Sequence, residues 1–249
     1  MRGARSPQWY VLEFPKSGGS WLADMVAACL RLPRPDRPAR PAWGPAVIHA
    51  HWSFTPNLHR VLYLQRDVRD VAVSAYFRWL CDVRNPPYPQ TRAYFRARLP
   101  VLFSPDADDI RKHLPQFIRE FARAPAGTRL SWSEHISAWK DRPRVVTVRY
   151  EDLIQDAGAV LRKALPELGS GPLEPENLRF AVESNSFATR SGRRPGVEDR
   201  GSFQRKGVIG DWVHHTGREA GRALDEQFGE MLVALGYEAR RDWWTTLPD

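Results

Sequence analysis

The sequence predicts an α/β fold: one domain with a central parallel sheet, helices on both faces, and a phosphate-binding strand–loop–helix at its start. Three observations point there. Short runs rich in β-branched and aromatic residues alternate with stretches of helical periodicity. The first run ends in Pro15-Lys-Ser-Gly-Gly-Ser20 and passes straight into a helical pattern. At 249 residues the chain is long enough for one substantial α/β domain and short for two, so 1–249 reads as a single domain.

Residues 9–14 read as a strand that stops at Pro15. Beyond the turn, Trp21, Leu22, Met25, Val26, Cys29 and Leu30 recur at helical spacing with one apolar face. Prolines between positions 33 and 45 predict a stiff surface connection. Residues 46–49 and 61–64 read as short buried strands, and Asp67 is placed to cap a helix carrying Val71, Ser74, Ala75 and Arg78. Residues 82–130 are proline-rich and basic, with helical periodicity only from about 108 to 123. A helix over 131–140 precedes a strand over 144–150, and helices follow near 156–166 and 175–184. Residues 188–206 hold Gly, Arg and Ser without periodicity and read as a mobile loop. The last helix, 217–235, carries Ala220, Leu224, Phe228, Leu232 and Leu235 on one side. No internal repeat is present.

No stretch approaches the roughly 20 apolar residues that cross a membrane. Arg2 and Arg5 precede the 9–14 run, but Glu13 interrupts that run and it is too short for a secretory segment. A cytoplasmic location is the default expectation. Cys29 and Cys81 make no disulfide framework and no metal spacing; Cys29 falls on the apolar side of its helix as a buried thiol. A net charge of +8 favours an anionic partner. Arg outnumbers Lys 32 to 5, which fits biased codon usage, and two of the lysines fall inside the motifs below.

A strand, then Pro-Lys-Ser-Gly-Gly-Ser, then a helix has the parts of an anion site. Gly18 and Gly19 let the backbone approach, the new helix offers its positive end, and Lys16 adds a full charge. The lysine precedes the glycines, the reverse of an ATPase or kinase loop. A plain strand-to-helix turn would carry the same residues. The segment Phe14-Pro-Lys-Ser-Gly-Gly-Ser-Trp21 resembles the 5′-phosphosulfate loop of the cytosolic-type sulfotransferases, Tyr/Phe-Pro-Lys-Ser-Gly-Thr-Thr-Trp, with Gly19 and Ser20 in place of the two threonines. The resemblance implies that Lys16, Ser17, Gly18, Gly19 and Ser20 hold the phosphosulfate, Lys16 at its bridging oxygen, and that Trp21 stacks near the adenine.

Two further signatures stand in the order of that family. The segment Val61-Leu-Tyr-Leu-Gln-Arg-Asp-Val-Arg-Asp-Val-Ala-Val-Ser74 is again strand, turn and helix. Arg66 leaves the strand and Ser74 lies two turns into the helix, as two ligands of one anion would. It resembles the 3′-phosphate signature Arg-Asp/Asn-x-x-Asp-Val-x-x-Ser with the interval of eight kept; a capped helix with solvent-facing arginines is the plain alternative. The third, Phe203-Gln-Arg-Lys-Gly-Val-Ile-Gly-Asp-Trp212, resembles Arg-Lys-Gly-x-x-Gly-Asp-Trp at every fixed position, which implies Arg205, Lys206 and Gly207 at the same phosphate. Tyr150-Glu-Asp152 and Ser186-Phe187 resemble shorter adenine-binding segments, through Tyr150 and Phe187. The three signatures run from residue 14 to 212 and leave the middle third unaligned.

The family's base is a His after a short strand, in Lys-Thr-His. Val47-Ile-His-Ala-His-Trp52 puts His51 at the base and His49 at the lysine, a departure that changes how the sulfuryl oxygens are neutralised. His49 and His51 share one side of the strand, as a metal pair would, yet no third ligand stands at a suggestive spacing, so no metal is expected. His59 precedes the next strand and is the weaker candidate base; His214 and His215 read as surface residues. Trp52, Phe54, Tyr76, Phe77 and Trp79 either wall an apolar acceptor pocket or fill the core.

The resemblance implies 3′-phosphoadenosine 5′-phosphosulfate (PAPS) as donor and a small-molecule hydroxyl or amine as acceptor, with no nucleic acid and no membrane. The family's C-terminal dimer segment is not kept, since Val213 stands where its lysine would be; the oligomeric state is open. A P-loop-like kinase, a basic nucleic-acid-binding protein and a donor-binding pseudoenzyme are the competing readings.

Overall fold

The computed structural model describes residues 8–35 and 44–249. Arg2, Arg5 and most of the proline connection at 33–45 lie outside them. Four parallel strands, β1 (Trp9–Glu13), β2 (Val47–Ala50), β3 (Val61–Gln65) and β4 (Val145–Arg149), form one sheet in the order β2-β1-β3-β4. Helices flank it, so the predicted α/β class and the central parallel sheet are borne out. The helices are α1 (Gly19–Leu30), α2 (Val68–Arg84), α3 (Thr91–Arg98), α4 (Ile110–Arg123), α5 (Trp132–Trp139), α6 (Tyr150–Glu167), α7 (Pro175–Ser184), α8 (Phe187–Ser191) and α9 (Arg218–Ala234). The chain divides into two compact units, residues 1–66 with 135–195 and residues 67–134 with 196–249.

The first unit contains the sheet. The inner strands β1 and β3 are buried at all five positions, which is why they read as unbroken apolar runs. Residues of alternating parity face opposite sides. Val11, Val47, Leu62 and Leu64 pack on one side with Leu22, Met25, Val26 and Cys29 of α1, Leu153, Leu161 and Leu165 of α6, and Leu178 of α7. Each such aliphatic side chain contributes about 1.5–3 kcal/mol on burial. Burial also pushes the Cys29 thiol up to about 11, as befits an inert core cysteine. On the other side, Tyr63 stacks on His135 (centroids 5.7 Å apart) and on Trp139 (6.2 Å).

Most helix boundaries fall within two residues of expectation. The exceptions are α8, a short capped helix that takes the start of the stretch read as a loop over 188–206, and α6, which starts at Tyr150 rather than near 156. Asp156 leaves helical geometry (φ −154°, ψ 84°), and its Oδ1 accepts from Ala159 N at 2.8 Å, so the second stretch restarts with its own cap. The periodic pattern marks only that second stretch.

The second unit is helical, with α2, α3, α4 and α9 around an aromatic core. Phe117 and Phe121 stack at 5.7 Å, Trp79 meets Phe95 at 5.8 Å, and Trp132 sets its edge on Phe228 at 5.9 Å. Tyr76, Phe77 and Trp79 are buried here, so core packing accounts for them. Within the stretch that resisted reading, α3 buries only Thr91 and Phe95, too few to show a period.

Candidate active site

The carboxyl ends of parallel strands leave a crevice where ligands of α/β sheets bind. At the end of β1 the chain turns through Pro15–Gly18 into α1. Lys16 (φ 73°) and Gly18 (φ 106°) both lie in the left-handed region. For Lys16 that conformation costs about 1–2 kcal/mol, strain of a kind that persists where a site needs it. Gly18 has a second reason: a Cβ there would sit 2.9 Å from the Tyr150 ring. The residue at the cap of α1, Gly18, has no side chain to offer, and the first turn of the helix holds no acidic residue; the one carboxylate at this end is Glu13, from β1. The Ser17 hydroxyl is buried and makes no hydrogen bond among the described residues, the position of a donor waiting for an acceptor.

Several predicted residues converge within the first unit. Arg66, directly after β3, lays its guanidinium 4.0 Å over the Tyr150 ring and donates to the Lys16 carbonyl at 3.3 Å. Trp21 sets its edge on Tyr150 at 5.8 Å and donates from Nε1 to the carbonyl of Asn185 at 2.8 Å, two residues before Phe187. Ser186 caps α8 through Thr189 N (3.2 Å), and Arg193 lies 5.5 Å over the Phe187 ring.

His51 stands one residue beyond β2, its side chain 31% exposed. Its Nδ1 is 3.3 Å from the Glu13 carbonyl. A carbonyl only accepts, so Nδ1 carries the proton and Nε2 keeps its lone pair. Burial holds the pKa of His51 below the ordinary imidazole value, against the pull of Glu13. The ring is therefore a free base at neutral pH.

Glu13, read from the sequence only as an interruption of the 9–14 run, organises this corner. It is 3% exposed, its Oε1 lies 3.1 Å from His49 Nε2, and the Gly19 N–H donates to its Oε2. Burial opposes its charge, but His49, the electrostatic influence of the His51 ring and the Gly19 N–H outweigh burial and hold its pKa below the ordinary carboxylate value. Gly19, one of the residues assigned by resemblance to the phosphosulfate loop, gives its N–H to Glu13 in this structure. A Cβ on Gly19 would come 2.5 Å from the Glu13 carboxyl carbon and 2.7 Å from His49 Nε2. Ser20 Oγ is 3.4 Å from His49 Nδ1, so His49 is held at both ring nitrogens. His59 sits apart, against Arg144 at 3.0 Å.

The second unit carries the other signatures. Asp67 caps α2 through Arg69 N (2.9 Å) and grips the buried Arg69 guanidinium, which lies 4.1 Å over Trp212. Asp70 accepts from Gly210 N and Trp212 N. Ser74 is part-exposed on α2. Arg205 and Lys206 each reach Asp211 at 2.5 Å, Arg205 also pairs with Glu198, and Gly207 turns the chain at φ 65°. His215, expected at the surface, is buried and bonds Asp211 at 3.1 Å; the shared carboxylate draws it in. His214 is exposed as expected.

The model of the family described as "Sulfotransferase domain" matches residues 39–236. The chain belongs to the sulfotransferase family. Human sulfotransferase 2A1 is 26% identical over 92% of this chain and 85% of its own length. The guinea pig (Cavia porcellus) 3-beta-hydroxysteroid sulfotransferase is 24% identical over 93% and 85%. The mouse sulfotransferase SULT7A1 complexed with PAP shares the fold at a TM-score of 0.65, with 21% identity over 92% of this chain and 84% of that one. Retinol dehydratase in complex with androsterone and inactive cofactor PAP does so at 0.60, with 18% identity over 92% and 81%. This sulfotransferase is thus an enzyme of the class its three signatures resemble, and the kinase and nucleic-acid readings are not favoured. No helix of the described residues is long and apolar enough to cross a membrane.

Proposed function

We propose that this sulfotransferase moves the sulfuryl group of PAPS onto a hydroxyl of an apolar small molecule in the cytoplasm, with His51 as general base. The observation that carries the reading is His51 itself: its Nδ1 faces the Glu13 carbonyl at 3.3 Å, which leaves the lone pair on Nε2, and the charge of Lys16 acts on its ring.

Lys16, Ser17, Gly18, Gly19, Ser20 and Trp21 are assigned to the 5′-phosphosulfate end, with the buried Ser17 hydroxyl supporting a phosphate there. Arg66, Ser74, Arg205, Lys206 and Gly207 are assigned to the 3′-phosphate, and Tyr150 with Phe187 to the adenine, on their signatures. The donor supplies a sulfuryl group already activated on phosphate. Nε2 of His51 takes the acceptor's proton as the acceptor oxygen bonds to sulfur. The bridging sulfur–oxygen bond breaks, and the Lys16 ammonium neutralises the charge left on the phosphate oxygen. His49, in the place of the family's lysine, is engaged at its two ring nitrogens by Glu13 and Ser20, so the leaving charge is assigned to Lys16.

Trp52, 39% exposed next to His51, offers an apolar face, and a hydroxysteroid sulfotransferase is among the relatives; both support a rigid apolar alcohol or phenol as acceptor. Residues 188–206 are assigned as a cover over the nucleotide, and 1–249 as one functional domain. Equal protease sensitivity of 188–206 with and without 3′-phosphoadenosine 5′-phosphate (PAP) would remove the cover. Transfer from labelled PAPS to a panel of hydroxysteroids and phenols tests the whole. Activity in the wild type, reduced about 10²–10⁴-fold in His51→Ala with PAP binding intact, supports it. Full activity in His51→Ala refutes the base.

A further inference from the structure

Sequence spacing gives His49 and His51 as a same-side pair without a third ligand; the sheet supplies one from the neighbouring strand. Val11 pairs with His49 in the parallel register, which sets Glu13, two residues on, beside His51 and on the same face. Glu13 Oε1 lies 3.1 Å from His49 Nε2 and 3.9 Å from His51 Nδ1, and all three donor atoms are within 4.8 Å of one another.

We propose that Glu13, His49 and His51 bind one divalent transition-metal ion of the zinc class, and that this ion and the base function of His51 exclude each other. Two imidazoles and a carboxylate are a donor set of open zinc sites. Four-coordinate zinc, with bonds of about 2.0–2.2 Å, keeps its ligands roughly 3.3 Å apart, so the cluster needs only small side-chain adjustments to close on an ion. The surroundings match what orients such ligands. The Gly19 N–H holds the other carboxylate oxygen, and Ser20 Oγ faces the other ring nitrogen of His49 at 3.4 Å. The part-exposed ring of His51 leaves the fourth position open towards solvent. Lys16, whose charge bears on His51, opposes a cation here, and the buried Glu13 carboxylate offsets it.

A second cluster, Glu198, Asp211 and His215, brings three donors equally close, but Arg205 and Lys206 occupy its carboxylates and repel a cation. The Glu13 cluster has no such guard on its oxygen.

Binding requires each imidazole to turn a lone pair to the ion. The proton that His49 directs at Glu13 moves to Nδ1, which faces Ser20 Oγ, and the proton of His51 moves through solvent from Nδ1 to Nε2. With the ion on Nδ1, the single proton of His51 therefore occupies Nε2, the atom assigned to take the acceptor's proton. The loaded protein therefore transfers no sulfuryl group. Binding rests on the cluster alone; exclusion rests also on the assignment of His51 as base.

The test is titration of the metal-free full-length protein with Zn²⁺ by calorimetry, alongside the visible spectrum of the Co²⁺ form. One equivalent should bind, about 10–100-fold weaker in His49→Ala and in Glu13→Gln, each checked for fold by circular dichroism. The Co²⁺ protein should show the intense visible bands of a four-coordinate ion. Absence of stoichiometric binding, or equal affinity in both folded variants, overturns the site. If neither variant folds, the Co²⁺ spectrum of the unaltered protein decides, and the pale spectrum of the hydrated ion overturns it. Zn²⁺ should abolish transfer, and a chelator should restore it. Zinc bound with the expected variant pattern but without effect on transfer leaves the site standing and overturns the exclusion.

Discussion

The carboxylate of Asp70 accepts hydrogen bonds from the backbone N–H groups of both Gly210 (2.8 Å) and Trp212 (3.1 Å), fastening two distant signatures of the chain to each other. Asp70 is 2% exposed, and both N–H groups point at its buried carboxylate. Asp70→Ala should lower stability by about 2–4 kcal/mol, since two donors lose their acceptor. Asp70→Asn, which keeps one acceptor oxygen, should lose about half as much. Denaturant melts of the three proteins check this; a change within 0.5 kcal/mol for Asp70→Ala, on the order of an ordinary surface substitution, would contradict it.

Arg66 is assigned to the 3′-phosphate. Its removal should weaken PAP binding about 10–100-fold, the range of one charge-assisted contact, and leave AMP within a few-fold of wild type. Calorimetry of PAP, ADP and AMP without added magnesium measures both. A parallel loss of PAP and AMP would instead mean that Arg66 acts through Tyr150 and the Lys16 carbonyl, which it touches.

Gly18→Ala combines a φ of 106° with a Cβ 2.9 Å from the Tyr150 ring. The expected cost is about 1–3 kcal/mol, with PAP affinity reduced by roughly tenfold as the loop shifts. Thermal melts and calorimetry on the same sample test the two together. Wild-type values for both would show that the loop tolerates a side chain.

His135 is fully buried, bonded to Tyr63 at 2.9 Å, and burial lowers its pKa from 6.5 to about 4. The folded protein thus refuses a proton that the unfolded chain accepts. Stability is full above pH 6.5 and falls as the pH drops towards 4, by on the order of 3 kcal/mol in total from this group. His51, also lowered, adds to the same window. In His135→Gln the slope between pH 6.5 and 4 should flatten, although the variant starts less stable at pH 7. Urea midpoints across that range decide, and an unchanged slope counts against the buried imidazole.

What was legible in the sequence had a local signature. Strands β1 and β3 are buried on both faces and so appear as continuous apolar runs, and α7 announces itself with Pro175 at its start. The loop at Lys16–Trp21, with Arg66 and Tyr150 beside it, was readable because each is fixed by its own short segment. Glu13 was not, since a carboxylate inside a strand pattern looks like an interruption until the register brings His49 and His51 to it. Asp70, Asp211 and His215 act on partners in other segments or on shared carboxylates, and no periodicity marks such contacts. Helix α3 was hidden because one aromatic ring, Phe95, does most of its burying.

Asp211 presents to Arg205 and Lys206 the same kind of oxygen that a phosphate would. A nucleotide held by those two side chains must therefore displace a resident carboxylate on arrival, and the carboxylate is ready to return when the nucleotide loosens. On the proposed assignment of Arg205 and Lys206 to the 3′-phosphate, capture and release of the nucleotide become an exchange of counter-ions, with Asp211 as the resident rival. That rivalry would favour escape of the spent donor before each new cycle.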